Sequence, residues 1–265
     1  MRKTDFTRKA PGSLLKATGS SGDYWAFIPN PLPPTIRFSN EMVSRLADAS
    51  LALGELKGVG QMLPDPRLLI APFVRREAVS SSRIEGTVTS FEQLLYYEVD
   101  PSDDEMSADR QEVVNYVRAL EYGLERLATL PVSLRLMREM HERLMAGVRG
   151  EKQKPGEFRD RQNMIGRLGR APAEARFVPP PVPQMRAALE SLEDYIGKRS
   201  ELPTLIDLAL IHYQFETIHP FLDGNGRLGR LLISVLLSER GCITQPLLYL
   251  SDYFERYREG RVLPP

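Results

Sequence analysis

The sequence predicts a mainly α fold, and three observations carry that expectation. Apolar residues recur at i, i+3, i+4 and i+7 over several long stretches, which is the signature of one buried helix face. Runs with the period-two alternation of a half-buried strand are few. Asp-Pro, Ser and Gly fall where those helical stretches begin and end. The chain has 265 residues, 42% hydrophobic and 26% charged, enough to bury a sizeable core.

Residues 1–38 read as irregular. Gly19 to Gly22 (GSSG) is a flexible spot, and Pro29 to Pro34 (PNPLPP) can continue neither a helix nor a central strand. The proline run is expected to lie extended across a domain surface, with Tyr24, Trp25 and Phe27 as anchors. From Asn40 the pattern turns helical, with Met42, Val43, Leu46, Ala49, Leu53 and Leu56 on one face. A second helix is expected from Asp65-Pro66, with Asp as N-cap and Pro at N1, running to Glu85 with Gly86 as its C-cap. A third follows Ser90. The acidic stretch from Asp100 to Asp109 reads as a solvated loop that caps the next helix, which carries Val113, Val117, Leu120 and Leu124. Another helix runs from Ser133 to about Met145. Residues 150–182 have no helical period and are rich in Gly, Pro and Arg. An ordered loop of that length in a compact domain is usually functional. Helices resume at about Pro183–Lys198, Pro203–Glu216 and Gly226–Ser238, with a last piece near 246–258.

Composition limits the function classes. Lys+Arg and Asp+Glu are equal at 35 each, so the overall charge offers no evidence of nucleic-acid binding. Any anion site must be local. Cys242, the one cysteine, excludes an internal disulfide and fits a reducing compartment. The N-terminus lacks the apolar run of a secretory signal, and no apolar run reaches membrane-span length. The expectation is a cytoplasmic protein with no membrane contact.

The residues from His219 to Arg230, HPFLDGNGRLGR, carry the chemistry. Gly224 and Gly226 allow a tight turn and close approach to backbone N–H groups. The turn leads into a helix N-terminus, where free N–H groups and the dipole favour an anion. Arg227 and Arg230 lie three apart, on one face of the first turn. Two guanidinium groups with an amide nest suit a polyphosphate, and Asn225 can add a donor. Asp223 is out of place in an electropositive cradle unless it holds Mg²⁺, which phosphates bring with them. His219 beside such a nest is a general base at neutral pH. Pro220 and Phe221 read as structural, and His212 and His141 as packed residues.

This stretch resembles the signature of Fic-domain proteins, which transfer AMP from ATP to hydroxyl groups of target proteins. The Phe27 to Pro34 segment, the Gly156 to Gly166 segment with Phe177 to Pro183, and Ser81 to Gly86 (SSRIEG) also resemble parts of one bacterial Fic group. The resemblance implies a Fic fold: a helical bundle with a short β-hairpin flap, about residues 158–178, next to the active-site loop. It implies an N-terminal region over residues 1–100 and a catalytic core over 101–265. His219 would be the catalytic base and Asp223 the ligand of Mg²⁺ or Mn²⁺. Gly224, Asn225, Gly226 and Arg227 would cradle the nucleotide and Arg230 would hold its γ-phosphate. Glu85, with Ser81 one turn earlier, would be an inhibitory element that reaches Arg230. Met164, Ile165 and Gly166 would be flap contacts to ligand or target, or the flap would serve only to close the core. The implied activity is protein adenylylation on Ser, Thr or Tyr, self-restrained by Glu85. The alternatives are removal of AMP, another phosphodiester transfer, or a nucleotide-sensing regulator without turnover. Partners would be ATP and an unidentified target protein, with a homodimer expected by family analogy.

Overall fold

The structure is a computed structural model, and it describes residues 1, 3–7, 10–19, 22–62, 66–99, 108–148, 153–166, 174–248 and 250–257. Two strands, β1 (Gly12–Gly19) and β2 (Gly22–Pro29), precede nine helices among the described residues. These are α1 (Asn40–Met62), α2 (Pro66–Ile84), α3 (Phe91–Val99), α4 (Ala108–Arg126), α5 (Leu134–Leu144), α6 (Val182–Lys198), α7 (Thr204–Ile218), α8 (Asn225–Glu239) and α9 (Leu250–Arg256). The mainly α expectation holds, and the helix limits fall within a few residues of the sequence reading. Asp65, expected as an N-cap, and most of the acidic stretch after Val99 lie outside the described residues.

The main departure is at the N-terminus. The segment expected to be irregular is a regular antiparallel hairpin, with Leu14 opposite Phe27 and Gly19 opposite Gly22. Its signal was present: two glycines bracketing two residues, flanked by apolar positions, mark a tight hairpin connection. β2 buries Tyr24, Ala26 and Phe27 in a small satellite core with Phe177 and Val178. The Phe27 N–H donates to the Val178 carbonyl at 2.9 Å. In the flap, regular pairing among the described residues is limited to one antiparallel bridge, Ile165 with Phe177. Arg167 and the rest of 167–173 lie outside the described residues.

The core forms where α8 passes between its neighbours. Leu228, Leu231, Leu232, Val235 and Leu236 of α8 are all buried, and they pack with residues of α2, α4, α5 and α7. An apolar helix of this kind is stable because tertiary burial, rather than propensity, supplies most of its stability. The core draws on residues either side of position 100, from Ile70 to Ile243. Helix α1 differs from expectation. Met42 and Val43 are exposed, Ala49 is exposed, and Leu46, Leu53 and Leu56 are half-buried. Helical periodicity reports which face is apolar; it does not report whether another element covers it. Near its C-terminal end, Gly60 is buried, with Thr244 and Leu247 against it. None of the described helices is long and apolar enough to cross a membrane.

Candidate active site

The site lies between the C-terminal end of α7 and the N-terminal end of α8. His219 is the C-cap of α7, with left-handed backbone angles (φ 50°, ψ 62°), and its N–H donates to the Phe215 carbonyl at 3.0 Å. The chain then turns through Pro220 to Gly224 and enters α8 at Asn225. Gly224 is required by its backbone: φ is +76°, and a Cβ there would stand 2.7 Å from Met145 Sδ.

The His219 ring Nδ1 lies 3.3 Å from the Glu216 carbonyl. A carbonyl can only accept, so this contact places the ring proton on Nδ1 and leaves a lone pair on Nε2. Burial pushes the His219 pKa down, with Arg159 adding to the effect, while the Glu216 carboxylate and carbonyl and Glu85 oppose it; the net value is below the ordinary one. The ring is therefore neutral at neutral pH, the form a base requires.

Asn225 does not offer its side chain to a ligand. Its Oδ1 accepts the Phe221 N–H at 2.9 Å and its Nδ2 donates to the Phe221 carbonyl at 2.8 Å, which closes the loop on itself. Arg227 also departs from the sequence reading. Its guanidinium is buried, 3.1 Å from Glu112 and in contact with Met145 Sδ, rather than side by side with Arg230 over the turn. Even so, Arg227 Nε has no hydrogen-bond acceptor among the described residues. Asp223 is at the rim with its side chain 45% exposed, and its Oδ1 accepts the Gly224 N–H at 2.6 Å. One exposed carboxylate beside a helix N-terminus fits a Mg²⁺ ion whose remaining ligands are phosphate oxygens and water.

Arg230 is where two distant segments meet. Its Nε donates to Ser81 Oγ at 2.8 Å, and its Nη2 donates to the Ser81 carbonyl at 3.0 Å and to Glu85 Oε1 at 2.8 Å. Ser81 and Glu85 are one turn apart at the end of α2, which stops where Gly86 takes φ +100°. The Glu85 carboxylate lies against the first turn of α8: a Cβ on Gly226 would come within 2.4 Å of Glu85 Oε1. Only a glycine leaves room for that approach. Desolvation raises the Glu85 pKa, but the charge and hydrogen bond of Arg230, then Arg227 and His219, outweigh it and hold the carboxyl below its ordinary value.

Four contributors escaped the sequence reading. His141, read only as a packed residue, is stacked on Phe221 at 3.8 Å between ring centroids. Its Nδ1 accepts the Gly156 N–H at 2.9 Å, so its Nε2 carries the proton donated to the Asp223 carbonyl at 2.9 Å. Glu112, in the middle of α4, has no local sequence signal to mark it as the partner of Arg227. Arg159 and Asn163, from the segment before the flap bridge, reach the loop carbonyls described below. Met164 and Ile165 are partly buried against the satellite core with β2. Gly166 is extended in the left-handed region (φ +156°), with Ala175 and Arg176 backbone close by.

Comparison with known proteins agrees with this geometry. The profile described as Fic/DOC family N-terminal matches residues 43–125, and the Fic/DOC family profile matches residues 131–237. The chain belongs to the Fic/DOC family. A relative named protein adenylyltransferase Fic, from Drosophila willistoni, is 30% identical over 163 residues, covering 60% of this chain and 30% of that protein. A probable protein adenylyltransferase from Aquifex aeolicus is 30% identical over 86 residues, 32% of this chain and 27% of the relative. The chain thus spans about a third of the length of these curated relatives. A Fic family protein from Desulfovibrio desulfuricans shares the fold, with a TM-score of 0.67 at 22% identity, over 86% of this chain and 66% of that one.

Proposed function

We propose that this Fic chain transfers AMP from ATP to a hydroxyl side chain of a target protein and is restrained by Glu85. The observation that carries the reading is a neutral His219, with its Nε2 lone pair available, at the mouth of a helix N-terminus that already holds an anion. That anion is the Glu85 carboxylate, set over Gly226 and bonded to Arg230. A helix N-terminus with an arginine suits a phosphate as well as it suits a carboxylate, and relatives named protein adenylyltransferase support the choice of AMP.

In this reading His219 Nε2 takes the proton of the target Ser, Thr or Tyr hydroxyl. The freed oxygen forms a bond to the α-phosphorus of ATP, the bond from that phosphorus to the bridging oxygen breaks, and pyrophosphate leaves. The backbone N–H groups of Asn225 to Arg227 and the positive charge of Arg227 stabilise the charge that spreads over the phosphoryl oxygens. Asp223 holds Mg²⁺ or Mn²⁺, which neutralises phosphate charge when bound. Arg230 binds the γ-phosphate once Glu85 has left it, so carboxylate and γ-phosphate compete for one guanidinium. Met164, Ile165 and Gly166 form the side along which a target segment lies.

The test uses ATP labelled at the α-phosphate, with Mg²⁺. Glu85→Gly raises self-labelling by tenfold or more, and adding His219→Ala abolishes it. Label that persists without His219, or that arrives from the γ-phosphate instead, sinks the reading.

A further inference from the structure

Segment 159–163 makes an unusual set of contacts with the loop that carries the base. The Arg159 guanidinium is buried, at 1% exposure. Among the described residues it makes no ion pair. It is satisfied by carbonyl oxygens: Nε donates to His219 O at 3.0 Å, Nη1 to Arg161 O at 3.2 Å, and Nη2 to Pro180 O and, at 3.5 Å, Ile218 O. Its own backbone N–H donates to Pro220 O at 2.9 Å. Asn163 Nδ2 donates to the same His219 carbonyl at 3.2 Å and to Phe221 O at 2.8 Å. Asn163 Oδ1 is buried with no hydrogen-bond partner among the described residues, so the side chain is used here for its donor. Three successive carbonyls, from His219 to Phe221, are thus held from one segment.

His219 needs holding. A non-glycine residue in the left-handed region is strained by the approach of its Cβ to the following carbonyl oxygen, and such strain persists only where the surroundings over-determine it. The proline that follows it pushes the preceding residue toward extended backbone. Rotation of the His219 backbone to that region would turn both its carbonyl and its ring away from their present partners. The Arg159 fork and the Asn163 amide converge on that carbonyl and oppose the rotation. A buried cation bonded only to carbonyls is an expensive way to fill space. Its cost makes sense where planar, multi-pronged donation is the property in use.

We propose that Arg159 and Asn163 are positioning residues, which hold the backbone of His219 in the left-handed conformation that aims its imidazole at the incoming hydroxyl. The proposal rests on the base role given to His219 above. Both side chains act through the His219 carbonyl. Burial lowers the Arg159 pKa to about 10, so the group is still charged at neutral pH and also favours the neutral form of His219.

The experiment is made in the Glu85→Gly background with Arg159→Met and, separately, Asn163→Ala. Initial rates of self-labelling against ATP concentration give a limiting rate and a half-saturating ATP. A displacement of about 1 Å in a catalytic group costs on the order of a hundredfold. The expected result is a limiting rate ten- to a hundredfold lower in Arg159→Met and several-fold lower in Asn163→Ala, with half-saturating ATP within twofold of the parent. Crystal structures of both variants are expected to show His219 out of the left-handed region. If Arg159→Met does not fold, Asn163→Ala alone decides, since it removes an amide and leaves the buried cation in place. Either of two kinetic results overturns the proposal: an unchanged limiting rate in the variants that fold, or a loss seen as weaker ATP binding. Retention of φ near +50° at His219 in every variant that folds does so as well. If the parent transfers no AMP at all, the adenylylation reading fails, and the φ of His219 still tests the brace.

Discussion

Arg227 and Glu112 form a contact in which both side chains are 4% exposed or less. Removing one partner of such a pair leaves a buried charge without compensation, which costs about 3–5 kcal/mol. Glu112→Ala is therefore expected to lower stability by that amount in urea denaturation, well beyond an ordinary surface change. The Thr87 hydroxyl, which donates to Glu112 Oε2 at 2.8 Å, loses its acceptor too. His141 supports a prediction on pH. Burial lowers its pKa from 6.5 to about 4, against a smaller opposing contribution from the Asp223 carbonyl. The unfolded chain takes up this proton below pH 6.5, while the folded chain refuses it until about pH 4, because Gly156 N–H already donates to the nitrogen that would be protonated. Stability contributed at this position is full above pH 6.5 and falls by roughly 3 kcal/mol as the pH drops to 4. His141→Gln is expected to flatten the fall between those pH values. An equally steep fall in the variant would assign it to other groups.

Among elements, α5 and α8 show two sources of helix stability. Helix α5 starts at a capped Ser133, whose hydroxyl accepts the Leu136 N–H. Ser133→Ala is expected to cost about 1 kcal/mol, seen as a lower midpoint in thermal melting with the site chemistry unchanged. Helix α8 has no side-chain cap; its N-cap is Gly224, and its first turn is held by the closed Asn225 loop and by Glu85. Its stability comes from burial, and Leu232→Ala is expected to cost about 2–5 kcal/mol. A Ser or Asp side chain capping α8 would lie on the N–H groups that the proposed reading gives to a phosphate. Helix identity and length were legible from the 3.6-residue period. The β1–β2 hairpin had a local signal in its paired glycines, but the exposure of α1 had none, since it depends on which distant segment supplies the facing surface.

Across the whole molecule, the end of α2 that carries Glu85 is tied to the fold from two sides. Arg230 of α8 holds Ser81 and Glu85. Helix α9 holds the middle of α2, where Glu77 accepts the Ser251 N–H at 3.0 Å and the Ser251 hydroxyl. Tyr116 of α4 donates to the same carboxylate at 3.3 Å, and Arg83 meets Glu255 at 3.4 Å. The position of Glu85 therefore depends on residues far along the chain. Ser251→Ala leaves a buried carboxylate short of a donor, a loss of about 1–3 kcal/mol. It is expected to loosen α2 and to raise self-labelling in the chain with Glu85 intact. In Glu85→Gly protein the same substitution is expected to leave the labelling rate unchanged. An increase of equal size in both backgrounds would show that α9 acts on the site by another route.

The sequence by itself determined the helical class, the helix limits within a few residues, and the order of chemistry along HPFLDGNGRLGR. Those properties are local: a period of 3.6, a turn that needs glycine, and a histidine, a carboxylate and arginines at fixed spacing. Tertiary structure alone decided how the groups are used. Arg227 and Arg230 share a helical turn, yet one is buried against Glu112 of α4 and the other faces Ser81 and Glu85 of α2. Spacing sets the direction in which a side chain leaves its helix, whereas its partner is set by whichever element packs there, and here those partners are 115 and 145 or more positions away in the chain.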